Sequence, residues 1–240
     1  MKERLDRALV ERGLAPTREK AQALIMAGEV LVDGQKAAKS GQAVDAGSAI
    51  EVLAQPRFVS RGGLKLDAAI RNFGIAVEGR VCLDVGASTG GFTDCLLQHG
   101  AARVHAVDVG TGQLDWKIRS DGRVVVHQRL NARYLRMEDL GEAVELAVCD
   151  VSFISVTLIV PAVAEVLQAG GEMVILVKPQ FEAGKGQVGK GGIVREPEVH
   201  RAACRRVDDG VRQLGFETDL MDSPILGTEG NREFLLHAHR

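Results

Sequence analysis

The chain has 240 residues and a formal net charge of −2 at pH 7, so no global basic field marks a nucleic-acid partner. Hydrophobic residues make up 45% of it and aromatic residues only 4%, so aliphatic side chains must build the core. The longest near-apolar run, residues 151–164, holds about 14 residues, fewer than the roughly 18–20 that span a bilayer.

The sequence shows none of the residue patterns typical of secreted or metal-binding proteins. Its four cysteines form no C-x-x-C pair, which favours buried thiols in a reducing compartment. The first six residues are too charged for a signal peptide, and the histidines are scattered singly. We therefore expect a soluble, cytoplasmic protein with no stable membrane association and no metal.

The first part of the chain predicts two helices followed by short strands. Residues 4–13 carry an apolar stripe at helical spacing, and Thr17 can cap a second helix that runs to Ala27. Strands are expected near 29–34 and 48–53, each beside an aspartate and a glycine that favour turns. These elements predict a compact α+β module of about 55 residues, near the lower limit for independent folding.

Pro56 is the predicted boundary between two domains, because proline cannot pair centrally in a sheet and stiffens a junction. We expect a small domain over 1–56 and a larger one over 57–240, with 57–63 as the linker.

Strands and helices alternate beyond the linker. Helices are predicted at 64–73, 91–99, 113–119, 155–168 and 196–213, and strands at 81–85, 103–108, 123–127, 145–150, 172–178, 216–222 and 231–238. Such alternation predicts an α/β fold with a mostly parallel sheet covered on both faces. The last two strands have no helix between them and should close the sheet as an antiparallel hairpin.

The first of these strands leads into a glycine-rich turn. Asp84 stands within the strand, and Gly86 and Gly90 follow at a spacing that differs from the G-x-G-x-x-G of dinucleotide sites. Asp108 ends the second strand, where it would face ribose hydroxyls. The pattern resembles motif I of S-adenosylmethionine (SAM) methyltransferases. The alternative is a structural βα turn in another doubly wound protein.

A Rossmann-like SAM site would lie at the carboxyl ends of these strands. The residues that the resemblance assigns to it are Asp84, Gly86, Ser88, Gly90, Gly91, Asp108, Asn131 and Asp150. Asn131 follows strand 123–127 and could bind the adenine amine. Asp150 ends the fourth strand, near the methionine end of the cofactor or the acceptor.

A second constellation centres on Lys178, which directly follows an aliphatic strand. By itself it could be a lysine that snorkels at a sheet edge. Together, Lys65, Asp150, Lys178 and Glu233 resemble the Lys-Asp-Lys-Glu tetrad of FtsJ/RrmJ-type ribose 2′-O-methyltransferases. The resemblance makes these four the candidate catalytic residues.

The tetrad suits methyl transfer to a hydroxyl. A free lysine, with a pKa of about 10.4, is a poor base at neutral pH. A second ammonium from Lys65, with partial burial, would lower the pKa of Lys178 so that it could act as a base. A charged Lys178 would instead stabilise the developing alkoxide. Asp150 and Glu233 would hold both lysines in place, and no metal is required.

Residues 3–53 resemble the S4 domain, an RNA-binding module. The matching motifs are Arg4-Leu5-Asp6, Thr17-Arg18-x-x-Ala21, Gly28-x-Val30-x-Val32-x-Gly34 and Val44-x-x-Gly47. Residues 1–57 hold nine basic and eight acidic groups, so an RNA surface needs charge segregated onto one face. The alternative is a solvated helix pair of mixed charge. The candidate RNA contacts are Arg4, Arg7, Arg18, Lys20, Arg61, Lys185 and Lys190.

The run 184–191 nearly spells a P-loop, but Gly191 replaces the Ser or Thr that would hold magnesium. We interpret it as an active-site loop with phosphate-facing lysines or simply as a flexible loop.

Taken together, the motifs closely resemble the TlyA (hemolysin A-type) family over nearly the whole chain. The resemblance implies SAM-dependent 2′-O-methylation of ribosomal RNA at cytidine, with ribosomal RNA or ribosomal subunits as partners. It makes no prediction of the oligomeric state. The alternatives are an RNA-binding protein without catalysis and a membrane-lytic hemolysin. Lysis is weakly supported, because the sequence has no long basic amphipathic helix and no spanning segment.

Overall fold

The computed structural model describes residues 2–53, 57–184, 186–227 and 230–240. The chain divides into two compact units, Met1–Arg57 and Phe58–Arg240. Pro56, where the domain boundary is predicted, lies outside the described residues, as does the candidate RNA contact Lys185.

Over its described residues, the first unit contains two helices and five short strands. The helices are α1 (Leu5–Glu11) and α2 (Arg18–Met26), and the strands are β1 (Lys2–Arg4), β2 (Val30–Val32), β3 (Gln35–Lys36), β4 (Ala43–Asp45) and β5 (Ile50–Val52). Strands β1 and β4 pair with each other, and the others form a sheet of order β3-β2-β5. Thr17 caps α2 as predicted, since its hydroxyl accepts a hydrogen bond from the amide of Lys20 at 3.3 Å.

Asp6 is the centre of a hydrogen-bonded cluster in this unit. Its carboxylate is fully buried and accepts hydrogen bonds from Arg4, Arg18 and Gln22 at 2.9–3.0 Å. The Arg4 guanidinium is the main cause that holds the pKa of Asp6 well below its usual range.

The second unit contains seven helices and seven strands among its described residues. The helices are α3 (Gly62–Phe73), α4 (Gly91–Gln98), α5 (Trp116–Arg119), α6 (Met137–Leu140), α7 (Val160–Val166), α8 (Pro179–Glu182) and α9 (Pro197–Arg212). The strands are β6 (Val81–Val85), β7 (Arg103–Asp108), β8 (Val124–Gln128), β9 (Val144–Cys149), β10 (Leu167–Val177), β11 (Glu217–Asp222) and β12 (Phe234–His239).

These strands form one sheet of order β11-β12-β10-β9-β6-β7-β8. The five strands from β10 to β8 run parallel, and β12 runs antiparallel to both of its neighbours. The predicted α/β class and the closing hairpin are therefore confirmed. Within this hairpin the last strand of the chain is not the edge strand, because β12 lies between β10 and β11.

Buried side chains pack against both faces of the sheet. On one face, Val163 of α7 and Val207 of α9 share a core cluster with Leu83 of β6. On the other, Leu66 of α3 and Leu96 of α4 share a cluster with further strand residues. Because helices cover both faces of the sheet, a ligand is expected at the carboxyl ends of the parallel strands.

Four predicted elements differ from the structure by three or more residues at one end, and two of them are the helix near 113–119 and the strand 172–178, since α5 begins at Trp116 and β10 at Leu167. The helix expected over 155–168 is wrong at both ends: residues 156–158 form a 3-10 turn, and β10 already begins at Leu167. Pro161 lies in the first turn of α7, where its missing amide costs no hydrogen bond. The last strand begins at Phe234 instead of 231, so Glu233 stands just before β12.

Candidate active site

Two adjoining cavities open at the carboxyl ends of the parallel strands. The first, which Lys65 and Lys178 line and which we call the lysine cavity, has a volume of about 310 Å³. The second, which Asp108 and Asn131 line and which we call the ribose cavity, has a volume of about 480 Å³. Gly86, Ser88, Asp150 and Ser152 line both. The segment after β6 and the loop after β9 thus lie at the border of the two cavities, which a single ligand could occupy together.

All four tetrad residues line the lysine cavity. They come from separate elements: Lys65 from α3, Asp150 after β9, Lys178 after β10 and Glu233 before β12. Lys65 and Glu233 are 168 residues apart in the sequence and still in contact. The sheet order places β9, β10 and β12 side by side and so brings the other tetrad residues to the same cavity.

The tetrad is arranged as two separate ion pairs. The buried ammonium of Lys65 donates to the buried carboxylate of Glu233. The ammonium of Lys178 forms an ion pair with Asp150, in which Nζ lies 2.5 Å from Oδ1. The same ammonium donates a hydrogen bond to Oγ of Ser152 at 2.8 Å. Each lysine therefore has its own carboxylate, whereas the sequence suggests an ammonium of Lys65 acting on Lys178.

The glycine-rich turn packs against the loop that carries Asp150. Gly86 has φ +83°, and a Cβ atom there would lie 2.5 Å from the carbonyl oxygen of Asp150. A Cβ at Gly90, which has φ +95°, would lie 2.8 Å from Leu114. Only glycine satisfies both restrictions, and its absent side chain lets a ligand approach the backbone closely.

Asp84 lies beneath this turn and lines neither cavity. It is fully buried, and its Oδ2 accepts a hydrogen bond from the hydroxyl of Thr93 at 2.6 Å. Oδ1 has no hydrogen-bond partner among the described residues. Burial raises the pKa of Asp84 to about 7, and the neighbouring charge of Asp150 adds to the rise, while the Thr93 hydrogen bond opposes it.

Asp108 and Asn131 line the ribose cavity, as does the apolar side chain of Leu130. The two carboxylate oxygens of Asp108 accept hydrogen bonds from the amides of Ser88 and Gly110 at 2.8 and 2.7 Å. Each oxygen has a second lone pair free for a hydroxyl. The side chain of Asn131 accepts a hydrogen bond from the amide of Arg133, so its oxygen braces the loop.

The loop after β9 contributes residues that the sequence analysis missed. Phe153 has φ +64°, a rare conformation for an aromatic residue, and it is 91% exposed. Its ring lies 5.3 Å from that of Phe181. Glu182 is buried and accepts hydrogen bonds from the hydroxyl of Ser155 and the amide of Val156 at 2.5 and 2.7 Å. Backbone strain at an exposed aromatic residue is the kind of signal that no sequence pattern carries.

The candidate RNA contacts occupy different settings. Arg61 lines the lysine cavity. Arg7, Lys20 and Lys190 are exposed. The guanidinium groups of Arg4 and Arg18 are committed to Asp6, although about half of each side chain is exposed.

The model of the S4 domain matches residues 3–50, and the model of the FtsJ-like methyltransferase matches residues 58–240. The 16S/23S rRNA (cytidine-2′-O)-methyltransferase TlyA of Mycobacterium tuberculosis is 48% identical over 236 residues, which cover 97% of this chain and 88% of the relative. The chain belongs to the TlyA family of FtsJ-like methyltransferases. The family resemblance predicted from the motifs is thereby confirmed.

Two further proteins similar to this chain carry a different name. Hemolysin A of Brachyspira hyodysenteriae is 43% identical over 236 residues, 98% of each chain. The solved structure of a candidate hemolysin from Streptococcus thermophilus is 46% identical, covers 100% of this chain and 88% of that one, and superposes with a TM-score of 0.76. Within the described residues of this chain, no helix combines the length and apolar character needed to cross a membrane.

Proposed function

We propose that this chain transfers a methyl group from SAM to the ribose 2′-hydroxyl of cytidine in ribosomal RNA. The observation that carries the proposal is the convergence of Lys65, Asp150, Lys178 and Glu233 on one cavity beside the glycine-rich turn. The named activity of the TlyA relative is the same reaction on the same nucleoside.

The ribose cavity fits SAM. The lone pairs of Asp108 suit two ribose hydroxyls, Leu130 and Ile159 supply an apolar wall for a base, and Gly86 leaves its backbone open. Asn131 stands at the same wall, where its amide suits the adenine edge. Asp84 acts from below, because it holds the first helical turn of α4 through Thr93. When bound, SAM supplies a methyl group on a positively charged sulfur.

Lys178 and Asp150 act on the acceptor hydroxyl as a unit. Lys178 presents the ammonium that lies beside Asp150 to the oxygen as negative charge develops on it. The new bond would join the methyl carbon to this oxygen as the bond from that carbon to the sulfur breaks, so that the sulfur leaves as a neutral thioether. The carboxylate of Asp150 would accept the hydroxyl proton and pass it to solvent. Ser152 holds the ammonium in place.

Lys65 and Glu233 position the acceptor from the other side of the cavity. Their buried contact ties α3 to the segment just before β12 and fixes the positions of both side chains. The exposed ring of Phe153 offers a flat face on which the acceptor base could stack.

A matched pair of lysine variants tests the assignment. We expect Lys178→Ala to lower kcat on ribosomal RNA by at least a hundredfold, because the alkoxide loses its stabilising charge, and to leave the Kd for SAM within about twofold. Lys39→Ala, an exposed lysine of the first unit, serves as the control and should methylate at the wild-type rate. Nucleoside mass spectrometry after reaction with labelled SAM should show 2′-O-methylcytidine. A wild-type rate in Lys178→Ala, or a label on the base, would contradict the proposal.

We further propose that the S4 unit binds ribosomal RNA or ribosomal subunits and that the enzyme works in the cytoplasm, where these substrates are. Membrane lysis is the second candidate, favoured only by the names of relatives that are called hemolysins. Leakage of liposomes that is independent of SAM and unchanged in Lys178→Ala would support it.

A further inference from the structure

Three side chains with metal-binding groups meet on the outer strands of the sheet. His237 and His239 are two residues apart on β12 and therefore share a face. Asp219 of β11 stands opposite His237 in the strand register. One ligand atom from each of the three lies within 4.8 Å of the other two. None of the three lines either cavity of the candidate active site.

The spacing suits a tetrahedral ion. Bonds of about 2.0–2.1 Å from zinc to nitrogen or oxygen set neighbouring ligands about 3.3–3.4 Å apart. Nε2 of His239 and Oδ2 of Asp219 are 3.3 Å apart, so these two groups need little movement to share a zinc ion.

His237 is held in place by groups behind it. Its Nε2 contacts Oε2 of Glu172 at 2.8 Å, and the other oxygen of Glu172 accepts a hydrogen bond from Arg80 at 2.7 Å. The imidazole also stacks on Phe73, with ring centroids 5.2 Å apart. A carboxylate behind a histidine is the arrangement that orients histidine ligands in metal sites.

We propose that Asp219, His237 and His239 bind one zinc ion and that the ion clips β11 to β12. The side chains of Asp219 and His239 are 63% and 36% exposed, so the ion can enter from solvent. Three protein ligands leave a position for water. The clip would stabilise an edge strand that has a neighbour on one side only.

A second group, Asp67, Cys95 and His99, also offers three ligand atoms within 4.8 Å. Its contacts are those of a hydrogen-bonded cluster, since Asp67 binds His99 at 2.8 Å and Arg71 at 3.2 Å. A separation of 2.8 Å is shorter than the spacing of two zinc ligands, so this group is the rival site in the test.

Calorimetric titration of the metal-free, untagged 240-residue chain with zinc chloride tests the proposal. We expect one ion per chain, with the affinity lowered at least tenfold in Asp219→Asn and in His239→Ala. Asp222→Asn, on the same strand and paired with Arg232, is the matched control and should stay within twofold of wild type. At a hundredfold excess over Kd, zinc should raise Tm by roughly 5–10 °C in wild type and much less in the two variants.

The result can go against the proposal in two ways. A wild-type chain that binds no zinc overturns it. So does zinc binding that persists in His239→Ala but is lost in His99→Ala, since that result assigns the ion to the rival cluster. Circular dichroism of each variant verifies the fold, and the proposal is independent of methyl transfer.

Discussion

The charges of Lys65 and Lys178 in the candidate active site are balanced by the carboxylates of Glu233 and Asp150. Each ammonium is matched by one carboxylate, so the two lysines belong to two ion pairs instead of forming a cationic pair, and Arg61 is a third cation in the lining of the lysine cavity. A charged ligand that enters this cavity meets a lining with an excess of one positive charge, and the direction of the individual groups also governs its binding. Removing either carboxylate would leave a lysine uncompensated.

Asp84 makes the stability of the second unit depend on pH. Its pKa is about 7 in the folded chain, against an ordinary value of 3.8. The folded chain therefore keeps a proton that the unfolded chain releases between about pH 4 and 7. The contribution of Asp84 to the free energy of unfolding falls as pH rises through this window, by about 2–4 kcal/mol, and levels off above pH 7.

We expect Asp84→Asn to remove this contribution. Urea denaturation followed by circular dichroism, at intervals from pH 4 to 8, should show the variant gaining stability relative to wild type as pH rises. The difference between the two curves isolates Asp84 from the other carboxylates, and exposed Asp222→Asn is the control. Parallel curves for Asp84→Asn and wild type would show that Asp84 keeps an ordinary pKa.

At the scale of elements, the parallel strands were the most predictable part. The predicted bounds 81–85 and 103–108 agree with β6 and β7, because each is an apolar run ended by a glycine or an acid. The region of α7 was not predictable in this way. Its apolar residues continue from helix into β10 without a stop signal, and only pairing of Leu167 with Val144 separates the two. Strands of two or three residues, such as β3, are too short for alternation to show.

The same division holds for the candidate site. Family motifs identified the tetrad and the glycine-rich turn. The partner of each lysine depends on how β9, β10 and β12 are ordered, which is a tertiary property. The buried position of Asp84 and the strained backbone of Phe153 likewise depend on packing that sequence spacing does not encode.

The turn between β6 and α4 yields a prediction at this scale. Gly86→Ala would combine an unfavourable φ with a contact of 2.5 Å to the carbonyl of Asp150, so the turn and the loop after β9 must separate. We expect SAM affinity, measured by calorimetry, to fall at least tenfold. Gly79→Ala is the matched control, because Gly79 has φ +75° with nothing within 4 Å of the added carbon. It should cost about 1–2 kcal/mol of stability and leave SAM affinity unchanged. Equal loss of affinity in both variants would mean that strain alone, and not the close approach, is responsible.

On the scale of the whole molecule, the two units differ in how they are stabilised. The second unit has two large apolar clusters around its sheet. The first has a small core and a buried carboxylate, Asp6, that joins β1, α1 and α2 through its partners. A unit of this size buries a smaller share of its surface on folding than a larger domain does, so a loss of about 1–3 kcal/mol is a large part of its stability.

We therefore expect Asp6→Asn to affect one unit only. Hydrogen exchange should become faster throughout residues 2–53 and stay unchanged in the second unit. The affinity for ribosomal RNA should fall, while SAM binding stays at the wild-type value. Asp45→Asn, an exposed carboxylate of the same unit, is the control. Wild-type exchange in Asp6→Asn would show that the Asp6 cluster adds nothing to the unit.

The position of β12 bears on how the enzyme is made. As the chain emerges from the ribosome, β10 and β11 appear before the strand that must lie between them. Neither can complete its pairing until β12 arrives, and Glu233 arrives with it. Nascent chains that lack this strand should therefore hold two unsatisfied strand edges and lack Glu233 of the candidate site, so we expect the pairing of β10 and β11 and the set of four tetrad residues to be completed together.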